Sequence, residues 1–199
     1  MTQPLPPTPA EAGPALSNVT VMMVDDDPMM TDVTQTYLEE AGYRRFVAVH
    51  DPRDALATAR AERPGLILLD LMMPGLSGFE LLAQIRADLQ LRYTPVIVLT
   101  ASNDTENKLR ALELGATEFL AKPVDASELK IRVRNSLGFK VYQDRLANED
   151  PLTGLPNRRV FVEHLNAALR RSAAAKQRVA LIHVNLDRFR VVNDTLGNA

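Results

Sequence analysis

The stretch that most constrains this chain is Leu66 to Gly78, which reads LILLDLMMPGLSG. Four apolar residues in a row, Leu66 to Leu69, predict a short strand buried on both faces, as in a parallel sheet. Asp70 stands where that strand ends, and Pro74, Gly75 and Gly78 mark the loop behind it. A carboxylate at the carboxyl end of a buried parallel strand lies where open α/β sheets bind ligands. Taken alone, Asp70 reads equally well as a strand-terminating or helix-capping aspartate. Its neighbours decide.

On both sides the same rhythm repeats. Val19 to Val24 predicts a first strand, with Asp25, Asp26 and Asp27 at its end. Pro28 suits the first turn of a helix that Asp27 caps, and Gly42 closes it. Met29, Met30, Val33, Tyr37 and Ala41 recur at helical spacing, which predicts that they pack into the core. Phe46 to Val49 is a second strand, and Asp51-Pro52 opens a helix carrying Ala55, Leu56 and Ala59. The central strand is followed by a helix from Phe79 to Leu89, with Leu82, Ile85 and Leu89 on one face. Pro95 to Leu99 is another continuous apolar strand, a helix follows over Asn103 to Leu114, and Thr117 to Ala121 is the fifth strand. Asp125 or Ser127 caps a last helix in which Leu129, Val133 and Leu137 are spaced by four. Strands alternating with helices imply an α/β fold, a doubly wound five-stranded parallel sheet with right-handed crossovers.

Composition narrows the function classes. Hydrophobic residues at 46% and charged residues at 24% of 199 fit a globular protein. A net charge of -2 gives no bulk electrostatic basis for binding nucleic acid or an anionic membrane. With no cysteine, disulfides, thiolate catalysis and Cys-ligated metals are excluded, and His50, His164 and His183 have no paired metal spacing. No apolar run approaches the ~18 residues of a membrane span. The N-terminus has no apolar signal region, so a cytoplasmic protein is expected. Residues 1–18 are rich in Pro and Ala and are expected to form a disordered tail.

In a sheet of this type every strand's carboxyl end faces one edge. Strand one therefore brings Asp25 and Asp26 there, strand three Asp70, strand four Thr100 and strand five Lys122. Converging carboxylates repel one another unless a hard cation binds, and an oxygen-only donor set suits Mg²⁺. Thr100 can hydrogen-bond a phosphoryl oxygen and Lys122 can balance its charge. A nucleophile, a metal, a hydroxyl and an ammonium are what phosphoryl transfer to a carboxylate needs.

The signatures VDDDP, LLDLMMPGLSG, LTAS and GATEFLAKP, over residues 19–138, resemble the receiver domain of two-component response regulators. The resemblance implies a flavodoxin-like fold in which Asp70 accepts a phosphoryl group from a sensor histidine kinase or a phosphotransfer protein. It implies that Asp25, Asp26 and Asp70 hold Mg²⁺, that Lys122 contacts the phosphoryl group and that Thr100 closes onto it. Phe119 matches the family's switch aromatic, Ala101 is small enough to leave room beside the phosphoryl group, and the Lys122-Pro123 bond is expected to be cis. Met72, two past the nucleophile, is apolar and cannot orient an attacking water, which predicts a long-lived phosphoryl-aspartate. The fourth helix and fifth strand are the expected moving surface and a possible homodimer face.

Leu137, Val141 and Asp144 continue the last helix into a helical connector, residues 139–149, which either transmits dimer geometry or links passively. From Asp150 the sequence DPLTGLPNRRVFVEHL resembles the opening of a GGDEF (diguanylate cyclase) domain, as in proteins that also carry an EAL domain. Residues 150–199 are read as an incomplete α+β GGDEF fragment. A helical face is expected at Phe161, Leu165, Ala168 and Leu169, and a strand at Val179 to Val184. The family's first metal-binding aspartate falls at Asn185, while Asn193 matches a guanine-contacting position. The GGDEF signature itself is not reached by Ala199, so this chain is expected not to be an enzyme and not to make cyclic di-GMP. Its apolar strand is expected to be poorly packed.

Three other readings compete. A haloacid-dehalogenase-like phosphatase also uses Asp, Thr, Lys and Mg²⁺, but places its nucleophile on the first strand as D-x-D-x-[TV], where this chain has Met29. A receiver-like domain that docks without switching keeps the fold and loses the chemistry. A degenerate cyclase half sensing GTP or cyclic di-GMP needs further residues.

Overall fold

The computed structural model describes residues 18–101, 105–185 and 187–188. The expectations for the N-terminal tail, Ser102, Asn103 and Asn193 fall outside them. The chain divides into two compact units at Ala147/Asn148.

In the first unit, strands β1 (Thr20–Val24), β2 (Arg45–Val49), β3 (Leu66–Asp70), β4 (Val96–Ala101) and β5 (Glu118–Lys122) form one parallel sheet in the order β2-β1-β3-β4-β5. The crossovers are α1 (Pro28–Glu40), α2 (Pro52–Glu62), α3 (Gly78–Ala87) and α4 (Thr105–Glu113), and α5 (Ala126–Asn148) follows β5. Because side chains alternate across a strand, each central strand feeds two cores. Met22, Val24, Ile67, Leu69, Val96 and Val98 pack on one face with α2 and α3, through Ala55, Ala59, Leu82 and Ile85. Val21, Met23, Leu66, Leu68, Ile97 and Leu99 pack on the other with Leu38 of α1 and Leu129, Val133 and Leu137 of α5.

Helix starts are set by side chains that accept orphan N–H groups. Asp27 caps α1 through Met29 N at 2.9 Å, Asp51 caps α2, and each is followed by proline at the first helical position. Ser77 and Glu80 form a reciprocal capping box at α3. Of the two candidates at α5, Asp125 is the cap: its Oδ1 accepts from Glu128 N at 2.8 Å. α5 runs unbroken through Gly138 for 23 residues.

Two expected core faces hold only in part: Leu82, Ile85 and Tyr37 pack as expected, and others do not. Met29 is 71% exposed and Val33 is exposed, while α1 buries Thr31, Thr34 and Leu38. The hydroxyl of Thr31 donates to Pro28 O at 2.8 Å, so a polar residue is satisfied within its own helix and faces inward. Leu89 is likewise exposed, because α3 ends at Ala87. There Asp88 accepts from Gln90 N (2.8 Å) and Leu91 N (3.1 Å), turning the chain so that Leu91 is buried instead.

In the second unit, Asn157 caps α6 (Arg158–Ala175), accepting from Val160 N at 3.2 Å. The expected face is on one helix, but no residue of α6 is buried. Val179 to Val184 is not a strand and is exposed. A strand exists only by pairing its backbone with a neighbour, and no described residue offers it one. Among the described residues no helix is long and apolar enough to cross a membrane.

Candidate functional site

The carboxyl edge of the sheet gathers the expected residues. β1 and β3 are adjacent and in register to Val24 and Leu69, so the residues that follow, Asp25 and Asp70, emerge side by side. Asp25 is held from three directions: its N–H donates to Val49 O (3.2 Å), its Oδ1 accepts from Asp27 N (2.9 Å), and its carbonyl contacts His50 Nδ1 (3.1 Å). Asp70 Oδ1 lies 3.4 Å from Met72 N. One oxygen from each of Asp25, Asp26 and Asp70 lies within 4.8 Å of the others. Asp25 and Asp70 are buried and Asp26 is exposed.

Lys122 reaches this group from β5. Its Nζ is 2.9 Å from Asp25 Oδ2 and 3.1 Å from Asp70 Oδ2. Burial by itself would lower the lysine pKa, but the hydrogen bonds to Asp25 and Asp70 outweigh it and hold the ammonium above its ordinary value. The Lys122-Pro123 peptide is cis. Thr100 is buried on β4, one residue beyond the Leu99 that pairs with Asp70, and its own register partner is Ala121. Phe119 is half-buried, packed against the core below the edge, with Lys108 Nζ 5.2 Å above its ring. Met72 is exposed.

The donor set fits a hard divalent cation. All three candidate ligands are carboxylate oxygens, and one of the three residues, Asp26, remains open to solvent. Oxygen-only donors suit hard cations such as Mg²⁺ over softer metals.

Two contributors escape a reading by residue type. A Cβ on Gly78 would lie 2.1 Å from Asp70 O and 2.7 Å from Leu71 Cα, so only glycine lets α3 start against the end of β3. The glycine in the LSG turn is the visible signal. His50 props the backbone of Asp25, and only its position after β2 hints at this.

In the second unit the turn before α6 is tied by its own side chains. Asp150 Oδ1 accepts from Thr153 N (3.0 Å) and Thr153 Oγ1 (2.8 Å), lowering the carboxyl pKa. Gly154 takes the positive φ of +67° that the turn needs. Asn185 lies in an exposed stretch without regular structure.

Residues 21–134 match the family model of the response regulator receiver domain, and residues 147–199 match that of the diguanylate cyclase GGDEF domain. The chain is 34% identical over 144 residues to the DNA-binding dual master transcriptional regulator RpaA of a Synechocystis species, covering 69% of this chain and 59% of that one. It is 29% identical over 189 residues to the response regulator PleD of Caulobacter vibrioides, covering 89% and 41%. The chain spans about half the length of the curated relatives it matches. Among solved structures it is similar to the receiver domain of a sensor histidine kinase from Pseudomonas aeruginosa, crystallised with a magnesium ion coordinated in its active-site cleft. There the TM-score is 0.56 at 30% identity, covering 61% of this chain and 98% of that one.

Proposed function

Because this chain belongs to the response regulator receiver family, we propose that it is a phospho-accepting switch with Asp70 as the acceptor. The observation that carries this is the meeting of three carboxylates and one ammonium at the sheet edge. A carboxylate oxygen of Asp70 attacks phosphorus, the bond from phosphorus to the donor nitrogen breaks, and an acyl phosphate forms while the donor imidazole departs. The donor is a phosphohistidine of a sensor kinase or phosphotransfer protein.

Asp25, Asp26 and Asp70 would hold Mg²⁺. When bound, it neutralises charge on the transferring phosphoryl oxygens. Lys122 moves its charge from the unmodified carboxylate to the new phosphoryl oxygens, which add roughly -1.5 to -2 charge at pH 7. Thr100 donates its hydroxyl to one of them, and Phe119 takes up the space that this motion opens or closes. The surface of α4 and β5 is the face through which the change reaches a second copy.

The output is a cyclic-di-GMP-related module beginning near residue 147. Asn185, where that family has a metal-binding aspartate, offers a neutral amide that holds Mg²⁺ more weakly than a carboxylate does. The phosphatase alternative is not favoured, since residues 21–134 match the receiver family and the first-strand pattern D-x-D-x-[TV] breaks at Met29.

The test is intact mass after incubation with acetyl phosphate and Mg²⁺. A single phosphoryl adduct is expected on the wild type, none on Asp70→Asn and none with EDTA; an adduct that survives Asp70→Asn would refute the assignment. A further expectation concerns lifetime: the exposed thioether of Met72 offers no base for water. Met72→Glu should raise the hydrolysis rate of the acyl phosphate by about tenfold, equivalent to ~1.4 kcal/mol of barrier. An unchanged rate would remove Met72 from the account.

A further inference from the structure

The opposite edge of the first unit's sheet holds a cavity that phosphoryl acceptance does not use. It measures about 190 Å³ and is bounded by Thr94 ahead of β4, Thr117 ahead of β5, and Ser136 and Lys140 of α5, with Arg86 and Arg92 in its wall. The length of β4, six residues at ~3.3 Å each, separates it from Asp70 by roughly 20 Å.

Its electrostatics are one-sided. The lining carries three cations and no acidic residue. The half-buried Arg86 guanidinium is satisfied only by carbonyls, Gly115 O at 2.8 Å, Thr94 O at 2.9 Å and Arg92 O at 3.3 Å. Among the described residues neither Arg86 nor Arg92 pairs with a carboxylate, and burial alone pushes Arg86 below its ordinary value. Arg92 lies over the ring of Tyr93 at 4.7 Å. Lys140 has Asp144 at 3.6 Å, the loosest ion pair of this unit. Arg86 is half-buried, and cations drawn out of water usually sit beside a countercharge, because desolvation disfavours them otherwise.

A second, independent feature points the same way. Ser136 is 4% exposed, and its hydroxyl has no hydrogen-bond partner among the described residues. A buried hydroxyl left unsatisfied is costly and rare, and it marks a place where an acceptor is missing.

We propose that this cavity is a binding site for a phosphate group. The anion supplies the countercharge that Arg86 and Arg92 lack, a closer one than Asp144 for Lys140, and an acceptor for Ser136. Because Lys140 and Ser136 belong to α5, Arg86 to α3, and Arg92, Thr94 and Thr117 to the segments ahead of β4 and β5, occupancy ties α5 to the sheet. The domain thereby gains an input separate from Asp70.

The test is amide chemical-shift titration of the full chain with sodium phosphate in EDTA, with chloride exchanged to hold ionic strength constant. Saturable shifts are expected at Thr94, Gly115, Thr117, Ser136 and Lys140, and they should persist in Asp70→Asn. The double variant Arg92→Gln/Lys140→Gln should keep a folded spectrum and bind phosphate about tenfold more weakly or worse, as loss of charge-assisted hydrogen bonds implies. Ser136→Ala should melt higher than the wild type in chloride, since it removes an orphaned hydroxyl, and gain less from phosphate. A parallel titration with adenosine monophosphate separates two sources of the group. Tighter binding with added shifts at Tyr93 assigns it to a nucleotide, and equal or weaker binding assigns it to free phosphate. Shifts that do not saturate, that are unchanged in the double variant, or that cluster around Lys122 would overturn the proposal.

Discussion

The two units carry the same kind of apolar pattern and end in opposite states. In the first, LILL of β3 lies between β1 and β4 under helices on both faces, and all four residues are buried. In the second, VALIHV has a comparable run of apolar residues, yet Leu181, Ile182 and Val184 are exposed and no strand forms. The helices differ likewise: α3 buries Phe79, Leu81, Leu82 and Ile85, whereas α6 buries nothing. Pattern selects an element's type, but burial needs partners, and most helix and strand stability comes from tertiary packing. The carboxylate cluster at the sheet edge belongs to the packed unit.

The largest effect should separate the units by core truncation. Leu68→Ala removes a side chain 1% exposed and should cost about 2–5 kcal/mol in urea unfolding. Leu169→Ala, at a position 49% exposed, should stay within about 0.5 kcal/mol. Equal costs would mean that α6 is packed after all.

Glycine substitutions sharpen the contrast. Gly78→Ala drives a methyl into the backbone of Asp70 and should cost about 1–3 kcal/mol of overpacking while also slowing phosphorylation of Asp70. Gly154→Ala meets no atom within 4 Å and suffers only from its positive φ, about 1 kcal/mol on the helix-forming equilibrium of the second unit. If Gly78→Ala is as mild, the close approach of α3 to β3 is not what fixes Asp70.

Removing the caps should be smaller still. Ser77→Ala and Asn157→Ala each forfeit an N-cap worth about 1 kcal/mol. Only the first should lower the melting temperature of the sheet, because only α3 belongs to it; circular dichroism at 222 nm reports the second.

The finest test is pH. Lys122 has its folded pKa raised above an unfolded value of about 10.4, so its stabilisation is complete below that pH and fades as pH rises through the folded pKa. Lys122→Met in EDTA should flatten the alkaline part of the stability curve. Buried Tyr43, whose phenol pKa is also raised by burial, acts in the same direction in both proteins and cancels in the difference. A curve unaltered by the substitution would show that Lys122 does not pair with Asp25 and Asp70 in solution.

Much of this molecule was determined by its sequence. The α/β alternation, the central strand ending at Asp70, the caps Asp27 and Asp51, and the edge to which Asp25, Asp26, Thr100 and Lys122 converge follow from periodicity and from the common polarity of parallel strands. Other features belong to the tertiary structure alone. Thr31 faces inward because its hydroxyl is satisfied within its own helix, and Met29 is left outside. Leu91 rather than Leu89 reaches the core because Asp88 turns the chain. Lys122 bridges Asp25 and Asp70 rather than approaching one of them. Val179 to Val184 has a strand's residues without a strand's neighbours. Sequence pattern reports what a segment prefers, while burial and pairing are decided by groups far apart in the chain, whose distances exist only once the fold is made.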